Sequence, residues 1–409
     1  MIPQVDRNEH WQDPLLLELL KVYKLEQHDT GVYIHWCEIN NNPDTHPAIA
    51  GNILPYIPEH IIRDAQSGRA RIVFSTMQES TNPGDVYPIE HCHDFDLTLE
   101  DFCNQNNIPH NNVVWVSGDL RVQQRQKSKS IRAFGFTCYG NDISRQVQSE
   151  IAPEDWTLKP ITQRHFVAQF ICLQRYMKPG RVFWTWLLKD KPWLMQHPGG
   201  FLSIADRVHG WSFLDKARAF IAIMKQHQTH MTSTPWSDEQ IKNMWHDLAD
   251  VGIEVPYILD VADHNSNWCA GADTTLSSLP WYNASFASVI TETDIQSNAL
   301  FISEATFRAF VYQQPCIWVG QQGIVKQLND WGFKTWDWLF SEDYDNEPLM
   351  IDRLFKCRES LFEVINLEKT PEILERVHEQ NLYNWNHLIT TFKQDQGYRF
   401  KEILTKITQ

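Results

Sequence analysis

The chain runs to 409 residues, more than one hydrophobic core usually serves, and 42% of them are hydrophobic, so two packed domains are expected. A net charge of −15 at pH 7 argues against a general nucleic-acid surface, because duplex affinity comes chiefly from cations that neutralise phosphates. No run of about 18 apolar residues exists to span a bilayer, and the opening MIPQVDRNEHWQD lacks the charged-then-apolar order of a secretory signal, so the chain reads as cytoplasmic. Its cysteines fall at irregular positions without metal spacing and read as buried thiols.

In chain order, residues 15–25 (LLLELLKVYKL) are apolar at helical spacing and 31–37 (GVYIHWC) read as a first strand. A short helix over 58–66 leads to a strand of the buried type at 70–75 (ARIVFS). Thr98 and Asp101 make a capping-box-like start for a helix through Asn106, and 112–117 (NVVWVS) form a third strand ending in Gly118 and Asp119. This is an α/β array whose strand ends offer Glu79 and Asp119, although carboxylates after a strand are commonly plain loop residues. The run from His91 to Asp96 (HCHDFD) contains several potential ligands and a D-x-D. Neighbours on an extended backbone point in opposite directions, however, so no metal is expected there. Arg121, Arg125, Lys127, Lys129 and Arg132 crowd a segment without acids, which reads as a basic loop over an anionic acceptor or as a solvated loop.

Residues 141–165 turn polar and proline-punctuated and are the expected linker. After an apolar strand at 166–173 come Arg175, Lys178 and Arg181, then a helix over 182–188. Cations beside the free N–H groups of a helix start make an anion site. Ser212 opens a helix to 228, and Ser237 with Gln240 forms a capping box for the next. Strands are expected at 256–261 and 286–290, the second ending at Glu292. Residues 299–303 read as a further strand whose Ser303 N-caps a helix carrying Phe307, Phe310 and Val311. The run 316–319 then precedes a helix faced by Ile324, Val325, Leu328 and Trp331. Strand, helix, strand, helix implies parallel strands, which bind ligands beyond their carboxyl ends, where Glu304 stands. The last segment, 382–407, is amphipathic.

The order S-E-x-T-F, a helix, Q-P-x-I-x-V-G, a second helix, then G-F-K-T-x-D-W-L-F-x-E-x-Y-D resembles the donor-binding half of viral and bacterial glycosyltransferases related to the α1,3-fucosyltransferases, over about residues 165 to 365. The resemblance implies two Rossmann-like domains facing across a cleft in the GT-B manner. Its domains would be an acceptor-side domain over 1–160, a donor domain over 161–380, and a C-terminal helix over 381–409 crossing back to the first. It implies a nucleotide-sugar donor, a hydroxyl-bearing acceptor, no cofactor and no metal. Glu304 stands where the Glu of the family's T/S-E-K motif meets ribose and diphosphate, and Glu292 is carried over as the preceding strand-end Glu. The basic turn with Arg175, Lys178 and Arg181 resembles the segment that opens the family's donor domain. The family's Lys is absent, for this chain has Ala305, and Arg308, one helical turn beyond Glu304, is expected to supply the cation. An acceptor base would come from Glu79, Asp119 or His93. Two other readings stay open: a non-catalytic nucleotide-sugar or glycan-binding protein, favoured by Ala305, and an enzyme glycosylating a DNA base, favoured by the basic segment and opposed by the net charge.

Overall fold

The computed structural model describes residues 4–5, 32–38, 54, 56–76, 95–145, 147–148, 153–174, 179–189, 200–204, 212–254, 279–292, 295 and 298–409. The expected helix at 15–25 and strand at 256–261 lie outside them, as do Glu79, His93, Arg175 and Lys178. The chain divides into two units, Met1–Asn141 with Ala299–Phe301 and Lys393–Gln409, and Asp142–Asn298 with Ile302–Phe392. Each is α/β and built on a parallel sheet. Among the described residues no helix is long and apolar enough to cross a membrane.

In the first unit β1 (Gln4–Val5), β2 (Tyr33–Glu38), β3 (Ala70–Thr76), β4 (Val113–Ser117) and β5 (Arg132–Gly135) lie side by side in that order, all parallel. Successive strand side chains point to opposite faces, so each strand feeds two cores. Ile72 and Phe74 of β3 and Val113 and Trp115 of β4 pack with Ile61 and Ala65 of α1 (Glu59–Gln66) and with Leu99 and Cys103 of α2 (Phe95–Gln105). The intervening residues, Ile34, Trp36, Val73, Val114 and Val116, face the other way and are covered by Phe400, Ile403, Leu404 and Ile407 of the C-terminal helix Lys393–Thr408. The reason is topological. Parallel crossovers are right-handed almost without exception, so a sheet that always steps the same way receives its crossover helices on one face. The opposite face must be covered by something from elsewhere in the chain.

The second unit holds β6 (Ala168–Gln174), β7 (Gly200–Ile204), β8 (Ser285–Thr291) and β9 (Cys316–Val319) in the order β7-β6-β8-β9, again all parallel. Its helices are α3 (Pro179–Lys189), α4 (Phe213–His227), α5 (Asp238–Glu254), α6 (Glu304–Val311), α7 (Ile324–Asp330), α8 (Met350–Asn366) and α9 (Pro371–His387). Local chemistry starts several of them. Ser212 and Asp215 form a reciprocal capping box on α4, Ser237 and Gln240 do the same for α5, and Thr370 caps α9 ahead of Pro371. The ring of Phe183 on α3 meets Phe220, Trp236 and Phe355. Trp36, Trp184, Trp318 and Trp336 are fully buried, so much of the tryptophan content is core.

Three local expectations change. The helix expected to start at Thr98 begins at Phe95, and Asp96 in its first turn accepts the Ser128 N–H at 2.5 Å. The apolar run 299–303 joins neither sheet: Leu300 donates to Asp119 Oδ1 at 2.8 Å and its carbonyl accepts the Leu120 N–H at 2.9 Å. Burial without periodicity does not distinguish a strand from an extended segment held by such bonds, and here the latter holds. The basic segment is not one loop either, since residues Val122–Arg125 form a helical turn and Arg132 opens β5. Arg132 donates to the carbonyls of Lys406 (2.7 Å) and Ile407 (3.1 Å), placing a cation on the C-terminal end of the helix that covers the sheet.

Candidate functional site

The strand order of the second unit locates the site. From β6 the chain moves outward to β7, then returns past β6 to place β8 on its other side, so strand order reverses between β6 and β8. Crossovers leaving in opposite directions open a crevice beyond the carboxyl ends of those two strands, where ligands bind in open parallel sheets. Gln174 ends β6, fully buried, with the Thr185 hydroxyl on its Oε1 at 3.3 Å. Thr291 ends β8 and Glu292 follows it, and α3 brings Arg181 to this end: its Nη2 donates to the Thr291 carbonyl at 2.5 Å.

Glu292 is buried and ties β8 to α6. Its carboxylate accepts the Ser303 N–H at 3.3 and 3.4 Å and the Thr306 hydroxyl. Ser303 caps α6 as expected, its side chain accepting from the Ala305 N–H at 3.2 Å. The backbone after β9 comes close: a Cβ on Gly320 would lie 2.3 Å from Ile324 Cδ1 and 3.1 Å from Glu292 Cγ. A side chain at this position would push the Ile324 methyl aside and crowd Glu292. With Glu292 and Ser303 serving the first turn of α6, the cations of this region are those of side chains.

Those cations are Arg181 and Arg308. Burial pushes the Arg181 guanidinium below its ordinary value, the Glu292 and Glu304 carboxylates oppose that shift, and Arg308 adds to it. Arg181 is held by the carbonyl of Thr291, next to Glu292, and Arg308 stands on the helix whose cap residue Glu292 holds. Glu304 is the first residue of α6 and Arg308 lies four positions on, one turn along the same face. Of the residues singled out in the sequence, Arg181 and Glu292 lie at the carboxyl end of β8, and Glu304 and Arg308 lie on the helix whose cap residue Glu292 holds.

Asp119 belongs to the first unit and is fully engaged. Its Oδ1 accepts from the backbone of Arg121 (2.9 Å) and Leu300 (2.8 Å), and its Oδ2 meets Arg125 Nη1 at 2.6 Å. It clamps the 299–301 segment to the end of β4. Asp96 is buried among protein partners, and Asp94 lies outside the described residues. Among the described residues no three His, Cys, Asp or Glu side chains gather as metal ligands would.

Two supporting residues escaped the sequence reading. Arg353, buried on α8, donates to the carbonyls of Gly320 (2.8 Å), Ile295 (2.8 Å), Glu347 (2.7 Å) and Pro348 (3.2 Å). It thereby fastens the turns that follow β8 and β9 on either side of Glu292. Asp345 accepts the N–H groups of Gly323 (3.1 Å), Val325 (2.9 Å) and Lys326 (2.9 Å) at the start of α7. Burial raises its carboxyl above the ordinary range, and those three donors oppose the rise. The available signal for Arg353 was a cation among Met350, Ile351, Leu354 and Cys357 on the apolar face of a helix, a place charge occupies only with partners. No family model matches the chain, and no curated protein matches it either.

Proposed function

We propose that the protein is a glycosyltransferase of the GT-B class, moving a sugar from a nucleoside-diphosphate donor to a hydroxyl acceptor, with the donor's diphosphate at the β6/β8 switch point. The observation that carries this reading is the buried Arg181, bonded to the Thr291 carbonyl beside Glu292, where the strand order of a parallel sheet reverses. In the reaction the acceptor oxygen bonds to the anomeric carbon, the bond from that carbon to the phosphate oxygen breaks, and its electron pair stays on the diphosphate. The acceptor proton passes to a base. Charge growing on the leaving diphosphate is what fixed guanidinium groups stabilise, so Arg181 and Arg308 would supply that stabilisation.

Calorimetry with a panel of nucleoside diphosphates, in chelator, tests the binding step. A complex is expected, and Arg181→Ala should weaken it by roughly tenfold or more, as for the loss of a charge-assisted contact. Affinity unchanged in that variant would remove Arg181 from the site; strict dependence on a divalent ion would count against cation-only binding.

A second reading is favoured by Asp119, whose oxygens are held by Arg125 and two backbone groups, which leaves one of the three candidate bases occupied. In that reading the protein binds nucleotide sugars without transferring them. Incubation with a donor panel and glycan acceptors separates the two: release of free nucleoside diphosphate supports transfer, and tight binding without release supports the non-catalytic protein.

A further inference from the structure

We propose that Lys369 is a site of N-acylation: its Nζ, half-buried on the ring of Phe286 with no carboxylate paired to it among the described residues, takes an acyl group from an acyl phosphate. The inference is independent of the donor-site reading. Phe286 stands at the amino end of β8, whereas the crevice lies beyond the carboxyl end of that strand.

Residues 367–370 join α8 to α9, and their backbone is tied down, with the Thr370 N–H on the Glu368 carbonyl at 3.0 Å. From this turn Lys369 reaches β8. Its Nζ lies 4.7 Å from the centroid of Phe286, a fully buried ring that meets Phe166 edge-on, and it donates to the Leu367 carbonyl at 3.1 Å. An ammonium has three N–H groups, and among the described residues one carbonyl and one ring face serve them. The titratable groups of the adjoining segments are engaged elsewhere or in water. Glu363 of α8 accepts the Ser341 N–H at 2.7 Å, Glu368, Glu372 of α9 and His165 beside Phe166 are exposed, and β8 carries no titratable side chain. Burial without an anion favours the neutral amine and pushes Lys369 from 10.5 down to about 8, against the pull of the ring face on a cation. Lys356 is the opposite case, since Glu347 at 2.7 Å holds its charge and raises it. Lys334 has the ring without the burial: its Nζ lies 4.1 Å from the Tyr383 centroid, on an exposed side chain.

The neutral amine is the nucleophile in acyl transfer. Its nitrogen bonds to the acyl carbon, the bond from that carbon to the phosphate oxygen breaks with its electron pair on the phosphate, and one amine proton passes to water. The amide formed keeps one N–H, which is enough for the Leu367 carbonyl. The acylated side chain gives up the attraction of the ring for a cation and, with it, the cost of a half-buried charge, so the fold accepts the product.

The full chain is incubated with acetyl phosphate at pH 7.5, and acetylated peptides are quantified by mass spectrometry over time. At that pH about a quarter of Lys369 is neutral, against about a thousandth for an ordinary lysine. A weaker base is intrinsically a weaker nucleophile, which takes back part of the gain, so Lys369 is expected to acetylate about tenfold faster than Lys334 and Lys356. Its rate should be half-maximal near pH 8. Labelling of Lys369 no faster than Lys334 would overturn the proposal, and so would an advantage that persists in the chain unfolded by guanidinium chloride, because burial would then not be its cause. Lys369→Gln stands in for the neutral product and should melt at the same temperature as the unmodified protein or higher; a clear fall would refute the claim that the fold accepts acylation.

Discussion

The two sheets differ in one respect that governs everything built on them. In the first unit each strand lies beside its predecessor, β1 through β5 without reversal; in the second the order is β7-β6-β8-β9. The unreversed sheet places α1 and α2 on one face and borrows the helix Lys393–Thr408 for the other. The reversed sheet opens its crevice between β6 and β8, and there the buried charges collect. Two parallel sheets thus differ in where their crossovers part, because strand order decides it.

The largest expected effect breaks the first half of that comparison. Ending the chain at Phe392 strips Phe400, Ile403, Leu404 and Ile407 from the sheet face. At about 1.5–3 kcal/mol for each buried side chain, the loss approaches the whole stability of a typical domain. The truncated chain should lose the first unit's unfolding transition in guanidinium chloride. A truncated protein that keeps two transitions at their original midpoints would show that the face needs no cover.

Arg353→Met tests the second unit next. Four carbonyls lose their donor, and buried polar groups left unsatisfied cost about 1–3 kcal/mol each. Allowing for water reaching some of them, a fall of about 2–4 kcal/mol is expected, confined to the second unit's transition. A shift in the first unit's transition instead would contradict this placement of the effect.

Arg308→Ala sharpens the comparison at the crevice itself. Diphosphate affinity should drop by roughly tenfold or more, and adding Ala305→Lys in the same protein should restore much of it, because a cation is then supplied from the first turn of α6 instead. Failure of the lysine to restore binding, with the fold intact by circular dichroism, would mean that position 305 does not face the bound diphosphate.

The smallest effect depends on pH. Burial raises the Glu342 carboxyl from 4.5 to about 7, against the Trp336 N–H and Thr335 hydroxyl that it accepts, while Asp337 and Asp345 push it further up. An acid whose pKa is raised on folding stabilises the fold while protonated, so its contribution is complete below about pH 4.5 and is lost as pH rises through about 7. Glu342→Gln should therefore raise the second unit's melting temperature by about 2–4 °C at pH 8 and give no gain near pH 4.5. Equal melting temperatures at pH 8 would show that the carboxylate is ionised there without cost.

Much of the scaffold was readable locally. The β-rich runs at β2, β3, β4, β8 and β9 declared themselves, and so did the caps at Ser237 and Ser303, because a strand's burial and a helix's first turn are settled within a few residues. Arg181 and Glu304 could be named from their places at helix starts, whereas Glu292 and Arg308 were named only through the family resemblance. The apolar run 299–303 misled, since its partners are Asp119 and Leu120, far away along the chain. Strand order, the borrowed sheet cover and the bond from Arg181 to the end of β8 were decided by tertiary structure. Arg181 reaches a carbonyl 110 residues away, and Arg132 caps a helix end 274 residues away. No local propensity encodes such pairs. They follow only when the sheets assemble and each buried donor, acceptor or charge must find its partner within the space that remains.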